Sequence, residues 1–220
     1  MKNTIMWLLF STIGFSFLVS ANAQSDAMPK FEIGGHFTSI TKPSFSGGDT
    51  EPGFGGRFTY NINETFALEG VGNFFPRRCP GCGRVGDNSG NILQGLGGVK
   101  IGKRFGHWGI FGKARAGVTS FSQGHGRWVV TNPGSTFPFD FQFSRTNNFS
   151  GELGGILEFY PTKRLVTRFE AGDTLIHYKE RETNFLVFDP VTNAPSLIPF
   201  RIGSDTRHNF QFSAGIGWRF

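Results

Sequence analysis

The chain has only two cysteines among its 220 residues, Cys79 and Cys82. That excludes a disulfide-dense scaffold and a cysteine-rich zinc fold. Charge is sparse, with 17% of residues charged against about 25% in an average soluble domain. Beyond residue 24 nothing approaches the ~18 consecutive apolar residues that a membrane helix requires. The 32 glycines follow no Gly-X-Y period, so collagen is excluded. What is abundant is glycine and phenylalanine, the latter numbering 27. Aromatics at 15% argue against a disordered chain. So many glycines argue against a helical bundle, because each interior helical Gly costs about 1 kcal/mol against Ala. The composition points to an aromatic-rich β protein.

The first residues read as an address. Lys2 supplies a positive start, Ile5 to Val19 is apolar apart from Ser, Thr and Gly, and Ala21-Asn22-Ala23 is a small-x-small cleavage site. This is the pattern of a secretory signal peptide over residues 1–23, with Gln24 opening the mature chain. Residues 24–29 are expected to be a short periplasmic segment, and residues 30–220 the single folded domain.

That domain reads as strands. Residues 207–220 alternate strictly, with His208, Phe210, Phe212, Ala214, Ile216, Trp218 and Phe220 on one face and Asn209, Gln211, Ser213 and Arg219 on the other. Period two marks a strand with two chemically different faces. The same alternation recurs seven times upstream, around Phe31–Thr38, Phe54–Tyr60, Phe66–Phe74, Leu93–Ile101, Trp108–Thr119, Phe149–Phe159 and Leu165–Ala171. Continuing the register past Ala171 puts Asp173 on the apolar face, so either a bulge resets it or Asp173 sits near lipid headgroups.

The connections alternate short and long. Short ones fall near 61–64, 103–107 and 160–164, and long ones near 41–52, 76–90, 122–146 and 179–206. This predicts an all-β, eight-stranded, antiparallel up-and-down transmembrane barrel with short periplasmic turns and long extracellular loops. A closed barrel pairs every backbone group, which lipid demands. Tyr60, Phe66, Trp108, Phe159 and Trp218 fall beside the short turns, where an inner aromatic girdle belongs. The opposite faces carry Arg57, Lys100, Lys113, Arg115, Arg168 and Arg219 with Glu32, Glu69, Glu152, Glu158 and Glu170. An eight-stranded barrel is only wide enough for side chains to fill, and buried charges must pair. The set therefore reads as an internal salt-bridge plug rather than an ion path. The two outer loops at 122–146 and 179–206 carry further β-like runs, Arg127–Thr131 facing Phe137–Phe143 and Asn184–Phe188 facing Leu197–Ile202, which suggest hairpins standing above the membrane.

With these features the chain resembles the small eight-stranded outer-membrane barrels of the OmpA/OmpX type. The segment TYNINETFALEGVGNFF is similar to a hairpin of that broad family. The terminal pattern of Phe212, Ile216, Trp218 and Phe220 resembles its recognition signal for the barrel assembly machinery. The resemblance implies an outer-membrane location, contact with outer-membrane lipid including lipopolysaccharide, and no nucleic-acid partner. Some members carry a peptidoglycan-binding domain after the barrel, and none is expected here after Phe220.

Candidate sites are few. Cys79-Pro80-Gly81-Cys82 is a C-x-x-C in the second long loop, flanked by Arg77, Arg78 and Arg84. A structural disulfide suits an exported protein, whereas a zinc site would want two further ligands and a redox centre a thioredoxin-like βαβ setting. The three arginines suit bidentate phosphate contacts with lipopolysaccharide, or stand as a solvated loop. No cofactor and no metal are expected. The chain is read as non-enzymatic, with a structural or surface-interaction role carried by its outer loops. The alternatives are a narrow channel for small solutes and a lipid A-modifying enzyme. The enzyme reading requires a His–Ser or His–Asp pair in contact at the outer rim.

Overall fold

The computed structural model describes residues 29–42, 49–76, 91–122, 124–132, 135–143, 145–188 and 195–220. Outside these lie residues 1–28, which include the expected signal peptide, and Cys79, Cys82 and the arginines at 77, 78 and 84. Eight strands close into an antiparallel barrel: β1 (Phe31–Lys42), β2 (Asp49–Asn61), β3 (Phe66–Phe75), β4 (Ile92–Phe105), β5 (Trp108–Phe121), β8 (Thr146–Phe159), β9 (Leu165–Tyr178) and β12 (Asp205–Arg219). Between them stand two separate two-stranded ribbons, β6 (Gly124–Asn132) with β7 (Ser135–Phe143), and β10 (Arg181–Phe188) with β11 (Pro195–Ile202). Each barrel strand pairs with its neighbours in the up-and-down sense, and β1 meets β12 to close the ring. Reciprocal backbone bonds of 2.9 Å between Phe31 and Phe220 finish the seam.

The short connections are built by local chemistry. Gly106 has φ 57°, which fits the tight turn between Phe105 and Trp108. Asn63 Oδ1 accepts the Thr65 and Phe66 amides at 2.9 and 2.7 Å, turning β2 into β3. Thr162 Oγ1 accepts the Leu165 amide at 3.1 Å and does the same between β8 and β9.

One expectation about strand length changes, and one open alternative closes. The first long loop shrinks, because β1 and β2 pair as far as Lys42 and Asp49 and leave only 43–48 between them. The β-branched pair Thr41 and Thr50 sits in that extension and shares a hydroxyl bond of 2.9 Å. No bulge occurs at Asp173, which faces Leu153 on β8 and Phe210 on β12 in unbroken ladders. Asp173 therefore stands on the outer wall.

The wall is inverted relative to a soluble barrel. Its outward positions are apolar and exposed, among them Phe37, Ile110, Leu153, Phe149, Phe210 and Ile216. Its inward positions are charged or polar and buried. Above the apolar belt most outward positions turn polar: Ser39, Thr50, Asn91, Asn147, His177 and His208. Trp218 to His208 spans ten residues of β12, about 25 Å of height at ~3.3 Å per residue and a tilt near 40°. That height matches the ~25 Å apolar band of a transmembrane barrel.

Candidate functional site

The barrel interior has three layers, set by which inward positions each strand contributes at a given height. The lowest layer lies next to the short turns and is ionic. Glu69 on β3 accepts two bonds from Arg168 on β9, at 2.5 and 2.9 Å, and two from Arg115 on β5, at 2.6 and 3.2 Å. Glu170 takes Lys113 at 2.8 Å, Arg115 at 3.0 Å and Arg168 Nε at 2.7 Å. Glu152 takes Lys113 at 2.5 Å and Arg115 at 3.1 Å. Glu158 takes Lys100 at 2.8 Å, and Arg57 reaches Glu170 at 3.9 Å. Arg57, Glu69, Lys100, Lys113, Arg115, Glu152, Glu158, Arg168 and Glu170 thus share one buried network.

Arg104 joins the network from its lower edge. It donates to Tyr160 Oη at 3.1 Å and Asn61 Oδ1 at 2.9 Å, and lies 3.8 Å from Glu32. Sequence reading placed Arg104 in a turn, but β4 runs on to Phe105 and gives it the inward phase of Lys100. Tyr160 lies in the turn beneath and donates to Glu158 at 2.5 Å. Burial and the Glu158 carboxylate push its hydroxyl well above the usual phenol range, so it remains a donor. Arg219 stacks on the Tyr160 ring at 4.5 Å and pairs electrostatically with Glu32 at 3.2 Å.

The middle layer is polar and mostly uncharged. His36 bonds Asn73 at 2.7 Å, Asn73 donates to Gln94 at 2.7 Å, and Gln211 bridges to Gln94 and Thr38 at 3.3 Å each. Ser213 donates to Thr38 at 2.9 Å. Gly55 makes room for this chain, since a Cβ there would sit 2.7 Å from His36 Nε2.

The top layer is apolar. Ile40, Phe75, Ile92 and Ile176 point inward and are buried, flanked by Phe121 and Tyr178, whose rings lie 5.7 Å apart. Gly53 opens space for Phe75, with a hypothetical Cβ only 2.6 Å from its ring. Sequence reading missed this layer. Its signal was present, because Ile40 and Ile176 break the polar phase of the inward face just where β1 and β9 end.

On the outer wall Phe212, Ile216, Trp218 and Phe220 line the exposed apolar side of the last strand. At its upper end His208 Nδ1 meets Asp173 Oδ2 at 2.5 Å, and His177 Nδ1 meets Thr206 Oγ1 at 2.9 Å. The His–Asp contact that the enzyme reading requires is therefore present. A serine partner is not assembled with it: Ser213 is bonded to Thr38 inside the barrel, and Ser204 lies in the exposed connection between β11 and β12. Nearby, the Arg207 guanidinium donates to Asp205 at 2.8 Å and holds its carboxyl below the ordinary range. Among the described residues no group of three His, Cys, Asp or Glu is arranged to hold a metal ion.

No family model and no curated protein matches the chain. Solved structures do. Neisserial surface protein A aligns at 12% identity over 89% of this chain and 100% of its own, with a TM-score of 0.46. Ail, the attachment invasion locus protein of Yersinia pestis, aligns at 14% over 88% of this chain and 100% of its own, with a TM-score of 0.43. The outer membrane protease OmpT of Escherichia coli aligns at 9% over 91% of this chain and 100% of its own, with a TM-score of 0.41.

Proposed function

We propose that the chain is a non-enzymatic integral outer-membrane barrel whose outer hairpins carry a structural or surface-interaction role. The observation that carries this reading is the inverted wall: a continuous belt of exposed Phe, Leu, Ile and Trp outside, and paired charges inside. In water such a belt would be an apolar patch far larger than a monomer tolerates. In lipid it is the expected surface, and ring closure removes every unpaired edge at membrane depth. Fractionation tests it. The protein is expected in the outer-membrane fraction and to stay there after a high-pH wash; release into the soluble fraction would overturn the reading.

The interior layers argue against the channel alternative. A solute would have to cross the ionic layer, the amide chain and the apolar cap of Ile40, Phe75, Ile92 and Ile176 in turn. The expected result in planar bilayers is no steady conductance.

One observation favours a second reading, a lipid-modifying enzyme. In the His208–Asp173 pair a carboxylate orients an imidazole at the level where lipid esters would lie. Against it, the two nearest serines in sequence are not joined to the pair. Lipid ester hydrolysis by purified protein in vesicles, abolished by His208→Ala, would establish the enzyme and displace the preferred reading.

A further inference from the structure

The two ribbons keep the phase of the barrel wall. The β5–β8 ladder ends at Phe121 opposite Thr146, and β6–β7 begins at Gly124 opposite Phe143. The break removes 122–123 from one arm and 144–145 from the other. The second hairpin behaves identically: β9–β12 ends at Tyr178 opposite Asp205, and β10–β11 begins at Arg181 opposite Ile202. Equal gaps on both arms leave the alternation unshifted. By register, the residues of each ribbon divide into two faces, one in count with the lipid-side positions of its barrel hairpin and one in count with the interior-side positions.

The sequence sorts by those phases. On the first ribbon the lipid-side positions include Trp128, Val130, Phe137, Phe139, Phe141 and Phe143. On the second they include Phe185, Val187, Ile198, Phe200 and Ile202. Arg181, at the base of β10, is the one charged position of this phase. The interior-side phase of the first ribbon instead sets His125 opposite Gln142 and Arg127 opposite Asp140. On the second ribbon that phase holds Glu182 opposite Arg201 but also Leu186 opposite Leu197 and Phe188 opposite Pro195, so only the first ribbon separates an aromatic phase from a polar one. The lipid-wall chemistry thus reappears on the first ribbon, whose hairpin neighbours that of the second, since β8 pairs β9. At the fork Asn148 Oδ1 accepts the Lys179 amide at 3.1 Å, just beyond the last β8–β9 pair, Phe149 and His177.

We infer that the first ribbon is a membrane-surface element, which lays its aromatic phase on the outer-leaflet lipid around the barrel. This rests on the outer-membrane reading. An outward-phase face turns toward the bilayer when its ribbon leans away from the barrel axis, and the barrel ladder stops at Phe121 and Thr146 before the ribbon's own ladder begins. The occupant is lipid because the face continues the lipid-facing belt in phase and holds almost no charge. Aromatic residues suit the headgroup boundary, and the charged phase is left for water.

Tryptophan fluorescence tests this. One variant carries Trp7→Phe, Trp108→Phe and Trp218→Phe and so reports only Trp128. A companion carries Trp7→Phe and Trp128→Phe and reports Trp108 and Trp218 on the wall. Both are inserted into phosphatidylcholine vesicles whose acyl chains are brominated near the headgroups. The companion is expected to be quenched, and Trp128 emission to fall roughly twofold, as for an interfacial amphipathic element. Adding Phe139→Asp and Phe141→Asp to the Trp128 reporter is expected to abolish its quenching while the barrel stays inserted. If the companion is quenched and Trp128 emits as in water, the inference is overturned and the barrel stands. If Trp128 is blue-shifted but untouched by bromine, protein covers the face, a second copy or a partner, and the inference is again overturned. If neither reporter is quenched, the outer-membrane reading fails and the inference falls with it.

Discussion

Glu152 and Leu153 are adjacent on β8 and live in opposite solvents. Glu152 is 1% exposed and holds Lys113 and Arg115 inside the barrel. Leu153 is 61% exposed on the wall. A soluble protein would invert both assignments. The difference teaches that each side of this wall is vulnerable to the opposite error. The interior fails when a charge loses its partner, and the wall fails when a charge is introduced.

The largest effect is expected inside. Glu69→Ala strands Arg168 and Arg115, and removing one partner of a buried ion pair costs about 3–5 kcal/mol. Urea unfolding in vesicles reads this as a lower midpoint at unchanged slope. Glu69→Gln is expected to lose less, because the amide oxygen still accepts one bond. A midpoint unchanged by Glu69→Ala would mean that the network is solvated.

Next comes the apolar cap. Phe75→Ala empties the centre of the top layer, and truncating a buried aromatic costs about 3 kcal/mol or more. The same variant sharpens the contrast between cap and ionic layer through conductance. It is expected to remain non-conducting, because the charge network below is intact. A comparable loss is expected on the wall: Ala114→Arg, flanked by Val99 and Leu153, puts a cation near mid-belt, at about 2–4 kcal/mol, while Trp218→Arg beside the short turns costs about 1 kcal/mol or less. Equal penalties at the two depths would contradict the placement of the belt. The smallest effect belongs to the rim. His208→Ala removes an exposed pair with Asp173, worth at most about 1 kcal/mol.

The barrel was legible because period two survives in every strand and separates Phe, Leu and Ile from Glu, Lys and Arg without reference to pairing. The ribbons were legible for the same reason, from Arg127–Thr131 against Phe137–Phe143. The wiring of the interior was not. Arg168 and Glu69 are separated by 99 residues and meet only because β9 and β3 face each other across the ring. The cap was hidden differently. Ile40, Phe75, Ile92 and Ile176 sit in the polar phase, and only closure shows that four strand ends converge on one plug. Asp173 could be read two ways in sequence, and the unbroken ladder decides for the outer wall. Arg104 was obscured by the strand boundary, which is the least local feature of a hairpin.

The central claim is that one set of strands closes into a barrel with its aromatic face in lipid. Heat-modifiability tests it most directly, by running the membrane fraction on a denaturing gel with and without boiling. The account predicts that the unboiled protein migrates differently from the boiled protein and that its strands resist protease. Coincident bands, with the protein in the soluble fraction, would contradict it and turn the aromatic face into a buried core.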